Sequence, residues 1–523
     1  MPVRLTFYGG VDDTEKGELG GVQLFVEDLE KKVQFLFDFG QRPDHTNDFY
    51  GFPYKPRSFQ NLAVSEFLEL FPSLPDLYRH DYEAVRGNHI KELPIDALVL
   101  SHAHYDHIGG LTLLREDLPI YTHSHSMYIM YLWQYMSGRT NNQFVDLYDQ
   151  YSLVRDASGK MSFPKGDEGV FPRKFNCFNS GEKFNLKEML LTPHPVDHSV
   201  PGACGFIWET SAGKVGISGD LRLRGRRGKD TKDFVKKLLE AKIDYLLWEG
   251  SLLHFDHEGT EEDLCQTVSE LIKGKSFAAI AYPPRDLDRI ASLYQAAKNV
   301  GRMLVVSPSQ ALYLQLFNGI NGYPRLDNKY IGVYLPKKKK GLLDREGFEE
   351  LAESDYYAWE RKFLELERWQ ENLSKRQRVS IEDLKQHQDQ FLVFLPFGSM
   401  IDMLEEIRPA KNSIYIRSHP GPWTKEMEVQ EERQIEILKA FGMYDGPQVD
   451  YLLRGNVLAQ QIVRNMHQVH VTGHLNRRET REILQQFDCT IIPYHCYNPQ
   501  DFVNDVAKNK KIIIPRRRET LIL

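Results

Sequence analysis

SHAHYDHIGG, Ser101 to Gly110, is the stretch that decides how this chain is read. It follows the apolar run Ile95, Ala97, Leu98, Val99, Leu100, which predicts a buried strand ending where the histidines begin. His102, His104, Asp106 and His107 then fall within six positions. Alternation in an extended segment points His102 and His104 the same way, and Gly109 and Gly110 allow a tight turn behind them. Imidazoles and a carboxylate converging at a strand end suit zinc or manganese better than calcium, which prefers oxygen. Four such side chains so close together can hardly all face one ion, so the motif predicts two divalent metal ions. The plainer alternative is a polar loop of satisfied surface histidines.

Composition narrows the setting. A chain of 523 residues has room for two or three domains. No window approaches the roughly 18 uninterrupted apolar residues of a membrane helix, so no membrane partner is expected. MPVRLTFYGG enters a strand at once, with no signal-peptide pattern. Cys177, Cys204, Cys265, Cys489 and Cys496 are few, odd in number and form no CxxC pair, which excludes a thiolate zinc cage and a disulfide framework. These features predict a cytoplasmic protein. The net charge of −7 lacks the broad basic footprint of a nucleic-acid binder. A local basic groove or a metal pair still attracts phosphate.

Outward from the motif, residues 3–8, 21–27 and 33–38 read as strands, the last closing on Asp38. Asp38 either orients a ligand histidine or caps a turn. Residues 41–94 have no clear period and read as an insertion or lid. Residues 119–123 predict a strand and 125–137 a helix; His123 and His125 form a second HxH without a carboxylate at useful spacing. Residues 139–185 read as polar surface loops. A strand to Pro193 precedes His194 and His198, of which His198 is the ligand candidate. KVGISGD, 214–220, ends on Asp220, suited to bridge two cations about 3.5–4 Å apart. IDYLLWEG, 243–250, places Glu249 at a strand end.

From about 256 the pattern becomes alternating helices and strands, a second α/β domain on a parallel sheet. Lys337 to Lys340 are either a solvated loop or a phosphate-contacting patch. Phe348 to Trp369 carry apolar residues at helical spacing, and helices are expected near 427–442 and 457–467. VHVTGH, 469–474, predicts a strand and turn bearing His474; CTIIPYH, 489–495, a strand ending in His495. KIIIPRRRE, 511–519, reads as a strand with a solvated basic end.

HAHYDH with His198 and SGD Asp220 resembles the metallo-β-lactamase fold, a four-layer α/β sandwich of αβ/βα type. WEGS (Glu249), VTGH (His474) and IPYH (His495) resemble the β-CASP branch, and VHVTGH with the following helix and strand is similar to ribonuclease J and its relatives. The resemblance implies a first domain at 1–255 and 469–523, with an inserted β-CASP α/β domain at 256–468. It implies one metal on His102, His104 and His198, another on Asp106, His107 and His495, and Asp220 between them. Hydroxide formed from a water shared by the two ions, most simply zinc with manganese as the alternative, would attack phosphorus. Asp106, His474 and Glu249 would be catalytic. His474 would hydrogen-bond the scissile phosphate or protonate the leaving oxygen, held by Glu249. Ser399 of PFGSM and His419 of RSHPGP would contact substrate phosphates, unless they merely make turns. IPYHCYNP and WEGSLLHFDHEGT depart from the ribonuclease J pattern, and only about 28 residues follow His495, too few for an extra carboxy-terminal domain.

The expected function is therefore a metal-dependent phosphodiesterase acting on single-stranded RNA, exo- or endonucleolytic, with homo-oligomers compatible. His495 favours RNA over DNA, since DNA-processing members of the branch carry an apolar residue there. The alternatives are a β-CASP DNA nuclease, a thioesterase- or lactonase-type hydrolase, and a non-catalytic binding subunit.

Overall fold

The computed structural model describes residues 3–11, 21–41, 46, 49–50, 62–88, 92–137, 142–148, 154–162, 169–254, 259–336, 357, 360, 377–422, 425–443 and 469–523. The lysine run 337–340, the apolar positions of the stripe between Phe348 and Trp369 and the helix expected near 457–467 lie outside these residues. The chain divides into two compact units. The first comprises Met1–Leu223, Arg227–Asp256 and Gly473–Leu523, the second Arg224–Arg226 and His257–Thr472.

Two seven-stranded sheets build the first unit. One runs in the order Phe175–Phe178, Ile120–His123, Ala97–Val99, Val33–Phe39, Gln23–Asp28, Val3–Gly9, Thr520–Ile522. The other runs Phe184–Leu186, Met189–Pro195, Cys204–Thr210, Gly213–Ile217, Tyr245–Gly250, Thr490–Cys496, Lys511–Ile512. Period-two alternation sends Val33, Phe35 and Phe37 into the space between them, where they join Phe206 and Trp208 in one core. The Phe35 and Phe37 rings meet Trp208 edge-on, both with centroids 5.4 Å away, an arrangement the ring quadrupoles favour. On the outer face of the second sheet the helix Gly228–Ala241 buries Thr231, Phe234, Val235 and Leu238, one stripe at helical spacing.

This topology sets up a site. Val33–Phe39, Ala97–Val99 and Ile120–His123 run parallel, as do Gly213–Ile217, Tyr245–Gly250 and Thr490–Cys496. The residues closing these strands therefore gather at one edge of each sheet, where parallel sheets present their functional loops.

The second unit is a five-stranded, all-parallel sheet in the order Ile331–Val333, Met303–Val306, Phe391–Phe394, Ala278–Ala281, Ile414–Arg417. Its strands are almost wholly buried, as expected where helices serve as crossovers. Thr260 and Asp263 close a capping box on the helix Glu261–Ile272.

Several expectations need correction. Residues 469–472 form no strand, and they group with the second unit. Val469 O accepts from Ser418 Oγ and Val471 O from Arg289 Nη2 at 2.9 Å, so side chains take the carbonyls a ladder would use. Within the span read as surface loops, Phe175–Phe178 pairs with Ile120–His123 as an edge strand. His194 lies inside the strand Met189–Pro195, not after it. The described part of 62–88 contains no strand. It buries Leu62, Leu70, Phe71, Leu77 and Tyr78, and Phe71 stacks on Phe39 at 5.4 Å, so it belongs to the core. The basic tail is not wholly solvated. Arg517 is buried and donates to Tyr8 O at 3.0 Å and to Glu69 O at 2.8 Å, because the chain doubles back to place Thr520–Ile522 beside Val3–Gly9.

Candidate metal centre

Ala97–Val99 delivers Ser101 and His102 at its end, and a single helical turn, Tyr105–Ile108, carries Asp106 and His107. The Asp106 carbonyl accepts from Val22 N at 2.9 Å and lies against Gly40, where a Cβ would fall 1.6 Å from it. Only glycine admits that approach. Asp220 follows Gly219, whose φ of +58° lies in the left-handed region. His495 stands one residue before the end of Thr490–Cys496 at φ +48°, and Asp38 one before the end of Val33–Phe39 at φ +53°. Non-glycine residues held there carry strain of about 1–3 kcal/mol each, which clusters at functional sites.

Seven side chains converge in two groups. His102, His104, His198 and Asp220 form one, Asp106, His107, Asp220 and His495 the other, with donor atoms in each within 4.8 Å of one another. Asp220 belongs to both. Four donors about 2.0–2.2 Å from a tetrahedral ion stand about 3.3–3.6 Å apart. Here His104 Nδ1 lies 3.1 Å from His102 Nε2 and 2.9 Å from His198 Nε2, and Asp220 Oδ2 lies 3.6 Å and 3.8 Å from the same two Nε2 atoms. In the second group Asp220 Oδ2 is 3.2 Å from His107 Nε2 and 3.3 Å from His495 Nε2, and Asp106 Oδ2 is 3.8 Å and 3.6 Å from them. Asp220 Oδ1 and His107 Nε2 are buried without a hydrogen bond of acceptable geometry among the described residues. Buried polar atoms left this way cost free energy that a cation would recover. The residues present fit divalent metal.

Surrounding groups fix the ring tautomers. Asp38 Oδ2 accepts from His107 Nδ1 at 2.7 Å, while its Oδ1 accepts from Ser101 N, also at 2.7 Å. Ser101 Oγ donates to Asp38 Oδ2 at 2.7 Å, leaving its lone pair for His102 Nδ1–H at 2.9 Å. Gly473 O accepts from His198 Nδ1 at 2.6 Å. In the neutral form of each of the three rings these partners place the proton on Nδ1 and leave the Nε2 lone pair facing inward, as metal-ligating histidines require. Asp38 thus orients a ligand candidate, one of its two expected readings. Burial holds His102 and His198 well below the usual histidine range, so both rings are neutral at neutrality. His107 runs the other way. Burial opposes its charge, but Asp220, Asp106 and Asp38 raise it well above that range.

Glu249 and His474 stand beside the two groups. Glu249 Oε1 lies 3.2 Å from His474 Nδ1, and its Oε2 accepts from Ser251 N and Ser251 Oγ, both at 2.8 Å. His474 Nδ1 is 4.0 Å from Asp220 Oδ2. Against burial, the Glu249, Asp220 and Asp106 carboxylates push His474 up to about 9.

His123 and His125 stand outside both groups. His194 packs against Phe234, ring centroids 5.7 Å apart. Ser399 and His419 lie in the second unit, after the strands Phe391–Phe394 and Ile414–Arg417. Burial, then Arg417 and Arg289, lower His419 to about 3. Sequence reading missed the support behind His198. Asp197, buried, accepts from Arg222 Nε at 3.0 Å and Arg227 N at 3.1 Å, and Arg227 Nη2 donates to His198 O at 2.8 Å. The only signal available was the adjacency of Asp197 to His198.

Residues 77–274 match the model of the metallo-beta-lactamase superfamily. The first unit carries a metallo-β-lactamase fold. A solved structure from Enterococcus faecalis, described as a protein of unknown function, aligns over 100% of both chains with a TM-score of 0.66 at 17% identity. Ribonuclease J of Mycolicibacterium smegmatis is 25% identical over 218 residues, 40% of this chain and 33% of that protein. Ribonuclease J 1 of Streptococcus pyogenes is 23% identical over 262 residues, 47% of this chain and 40% of that protein. These alignments therefore span well under half the length of either relative. Among the described residues no helix is long and apolar enough to cross a membrane.

Proposed function

We propose that the chain is a metal-dependent phosphodiesterase hydrolysing single-stranded RNA, and that its second unit is a β-CASP insert. One observation carries the reading: Asp220 belongs to two ligand groups at once, with His474 and Glu249 beside it. His102, His104, His198 and Asp220 would hold one ion, and Asp106, His107, His495 and Asp220 the other, zinc first and manganese second. Bound there, the ions would neutralise charge on the phosphoryl oxygens and acidify water.

The chain's own residues do the rest. Water attacks phosphorus, the bond from phosphorus to the leaving oxygen breaks, and each side of the exchange needs a proton partner. Asp106, the most exposed carboxylate of the set, takes the proton that water loses. His474, its Nδ1 occupied by Glu249, offers Nε2–H to the phosphate or to the leaving oxygen. Glu249 keeps that ring in place, and Ser251 keeps Glu249 in place. Ser399 and His419 are the substrate-phosphate candidates of the second unit. Cytoplasmic location belongs to the same reading, with the five cysteines free.

Purified protein incubated with 5′- and 3′-labelled single-stranded RNA and DNA, with zinc or manganese, tests this beside a His104→Ala control. The expected result is metal-dependent RNA cleavage, slowed at least about a hundredfold in the variant. Preferred cleavage of DNA moves the assignment to a DNA nuclease. Turnover of a thioester or lactone, with both polymers intact, overturns it.

A further inference from the structure

IPYH sets a tyrosine directly before His495, and His495 stands outside the ladder of its own strand. Across the parallel strands Tyr245–Gly250 and Thr490–Cys496, Tyr494 pairs with Glu249 and Cys496 with Gly250, so His495 is the extra residue between two paired positions. That is a β-bulge, a device that re-aims a side chain. The backbone of His495 bonds elsewhere: its N donates to Gly10 O at 2.5 Å, and its carbonyl accepts from Ser251 Oγ at 3.2 Å. A bulged residue at φ +48° persists only where its surroundings over-determine it.

Tyr494 supplies one such constraint. Its ring is buried in the core between the sheets with Ile217, Leu247 and Ile492, and its hydroxyl lies 3.4 Å from Ser218 Oγ. Ser218 is fully buried and stands two positions before Asp220. Its Oγ donates to Gly219 O at 2.7 Å and accepts from Glu249 N at 3.0 Å. A serine hydroxyl has one proton and two lone pairs. The proton goes to Gly219 O, so Tyr494 is the donor in the third contact, and the oxygen is saturated. One atom thus touches three strand ends: the one that leads to Asp220, the one that carries Glu249 and the one that carries His495.

We infer that the Ser218 hydroxyl, with Tyr494 as its donor, is the positioning group that sets the Asp220 turn, the Glu249 strand and the His495 bulge relative to one another. The inference rests on the metal-centre half of the reading above and not on the choice of RNA. Asp220 Oδ2 lies 3.3 Å from His495 Nε2, and Glu249 Oε1 lies 3.2 Å from His474 Nδ1. A metal site tolerates errors of only about 0.2 Å in its donor distances. Three neighbouring strand ends that slide independently exceed that tolerance, and a shared hydrogen-bonded oxygen keeps them in step. Ser218 and Tyr494 touch no inward-facing donor atom of His495, so they act through the ligands and are not ligands themselves.

The full chain, stripped of metal and titrated with Co2+ alone, tests this, because the visible bands of Co2+ follow its coordination geometry. Wild type, Ser218→Ala, Ser218→Thr, Tyr494→Phe and the pair Ser218→Ala/Tyr494→Phe are compared, with cleavage of labelled single-stranded RNA as a second readout. Ser218→Ala should shift the bands and weaken Co2+ binding about tenfold or more, as when a ligand loses its supporting partner. Tyr494→Phe, which removes one hydrogen bond and no ring, should weaken it about threefold. The pair should be no weaker than Ser218→Ala, since both changes remove the same bond. Ser218→Thr keeps the hydroxyl and should restore both affinity and bands. Wild-type affinity and bands in Ser218→Ala, or Ser218→Thr as weak as Ser218→Ala, overturn the inference, and losses that add in the pair overturn the link between the two residues. If Ser218→Ala does not fold, Tyr494→Phe decides: wild-type affinity there overturns the reach to His495, and the stated loss upholds it. The Co2+ pattern without RNA cleavage by wild type supports the inference and overturns the nuclease. No Co2+ binding by wild type overturns both.

Discussion

Asp38 shows how one residue can serve a site without touching a ligand atom's inward face. Its carboxylate takes three hydrogen bonds, from Ser101 N, Ser101 Oγ and His107 Nδ1, each 2.7 Å long. It sits at φ +53°, a conformation asparagine also tolerates. Asp38→Asn therefore keeps the backbone and the volume while removing the charge behind His107. A carboxylate behind a ligand histidine raises its basicity and fixes its ring, and losing such a partner typically costs 10–100-fold in metal affinity. We expect zinc affinity of Asp38→Asn to fall about tenfold or more in competition with a chromogenic chelator, the thermal midpoint of the chelated protein moving far less. Equal zinc affinity in the two proteins would reduce Asp38 to a turn cap.

Among elements, the join between Gln23–Asp28 and the turn after Cys204–Thr210 shows how the two sheets of the sandwich are pinned. Asp28 accepts from Ser211 N and Ser211 Oγ at 2.7 Å each, from Lys31 N at 3.1 Å and from Glu30 N at 3.2 Å. Burial alone would raise this carboxyl, but these bonds hold it below its ordinary value. A carboxyl depressed by folding stabilises above its unfolded value, about 3.9, and that stabilisation is lost as pH falls through the folded value. The midpoint gap between chelated wild type and Asp28→Asn should thus be constant above about pH 5 and close below about pH 4. A gap that widens on acidification would reverse the sign and the argument. The same join was invisible in the sequence, since Asp28 and Ser211 lie 183 positions apart. Strands buried on both faces, such as Val33–Phe39, were legible because that burial dictates a near-continuous apolar run. Phe175–Phe178 was not, since an edge strand with only Phe178 fully buried writes no such pattern. VHV at 469–471 did write one, yet its carbonyls went to Ser418 and Arg289. The ligand candidates were legible for a different reason: the chemistry of the groups restricts them to histidine and aspartate, four of them within six positions. Arg517, whose partner Glu69 lies 448 positions away, had no such restriction.

At the scale of the whole molecule, the ligand groups draw on three stretches of chain: 102–107, 198–220 and His495. The residues of the second unit, 257–472, intervene between the last two. Any ion bound at Asp220 and His495 therefore fastens a late strand, Thr490–Cys496, to elements made before the second unit begins. That is a linkage term: a ligand at a hundred times its dissociation constant stabilises the form that binds it by about 2.7 kcal/mol. Among the described residues the second unit supplies no member of either group, so the term belongs to the first unit alone. Hydrogen exchange read peptide by peptide, before and after chelation, separates the two. Chelation should lower amide protection in Thr490–Cys496, Gly213–Ile217 and the loop 101–107. It should leave Ala278–Ala281 and Met303–Val306 protected as before. Protection lost equally in both units would mean that the ions act on something other than these seven side chains. Protection lost in neither would mean that this edge of the sandwich holds itself together without them.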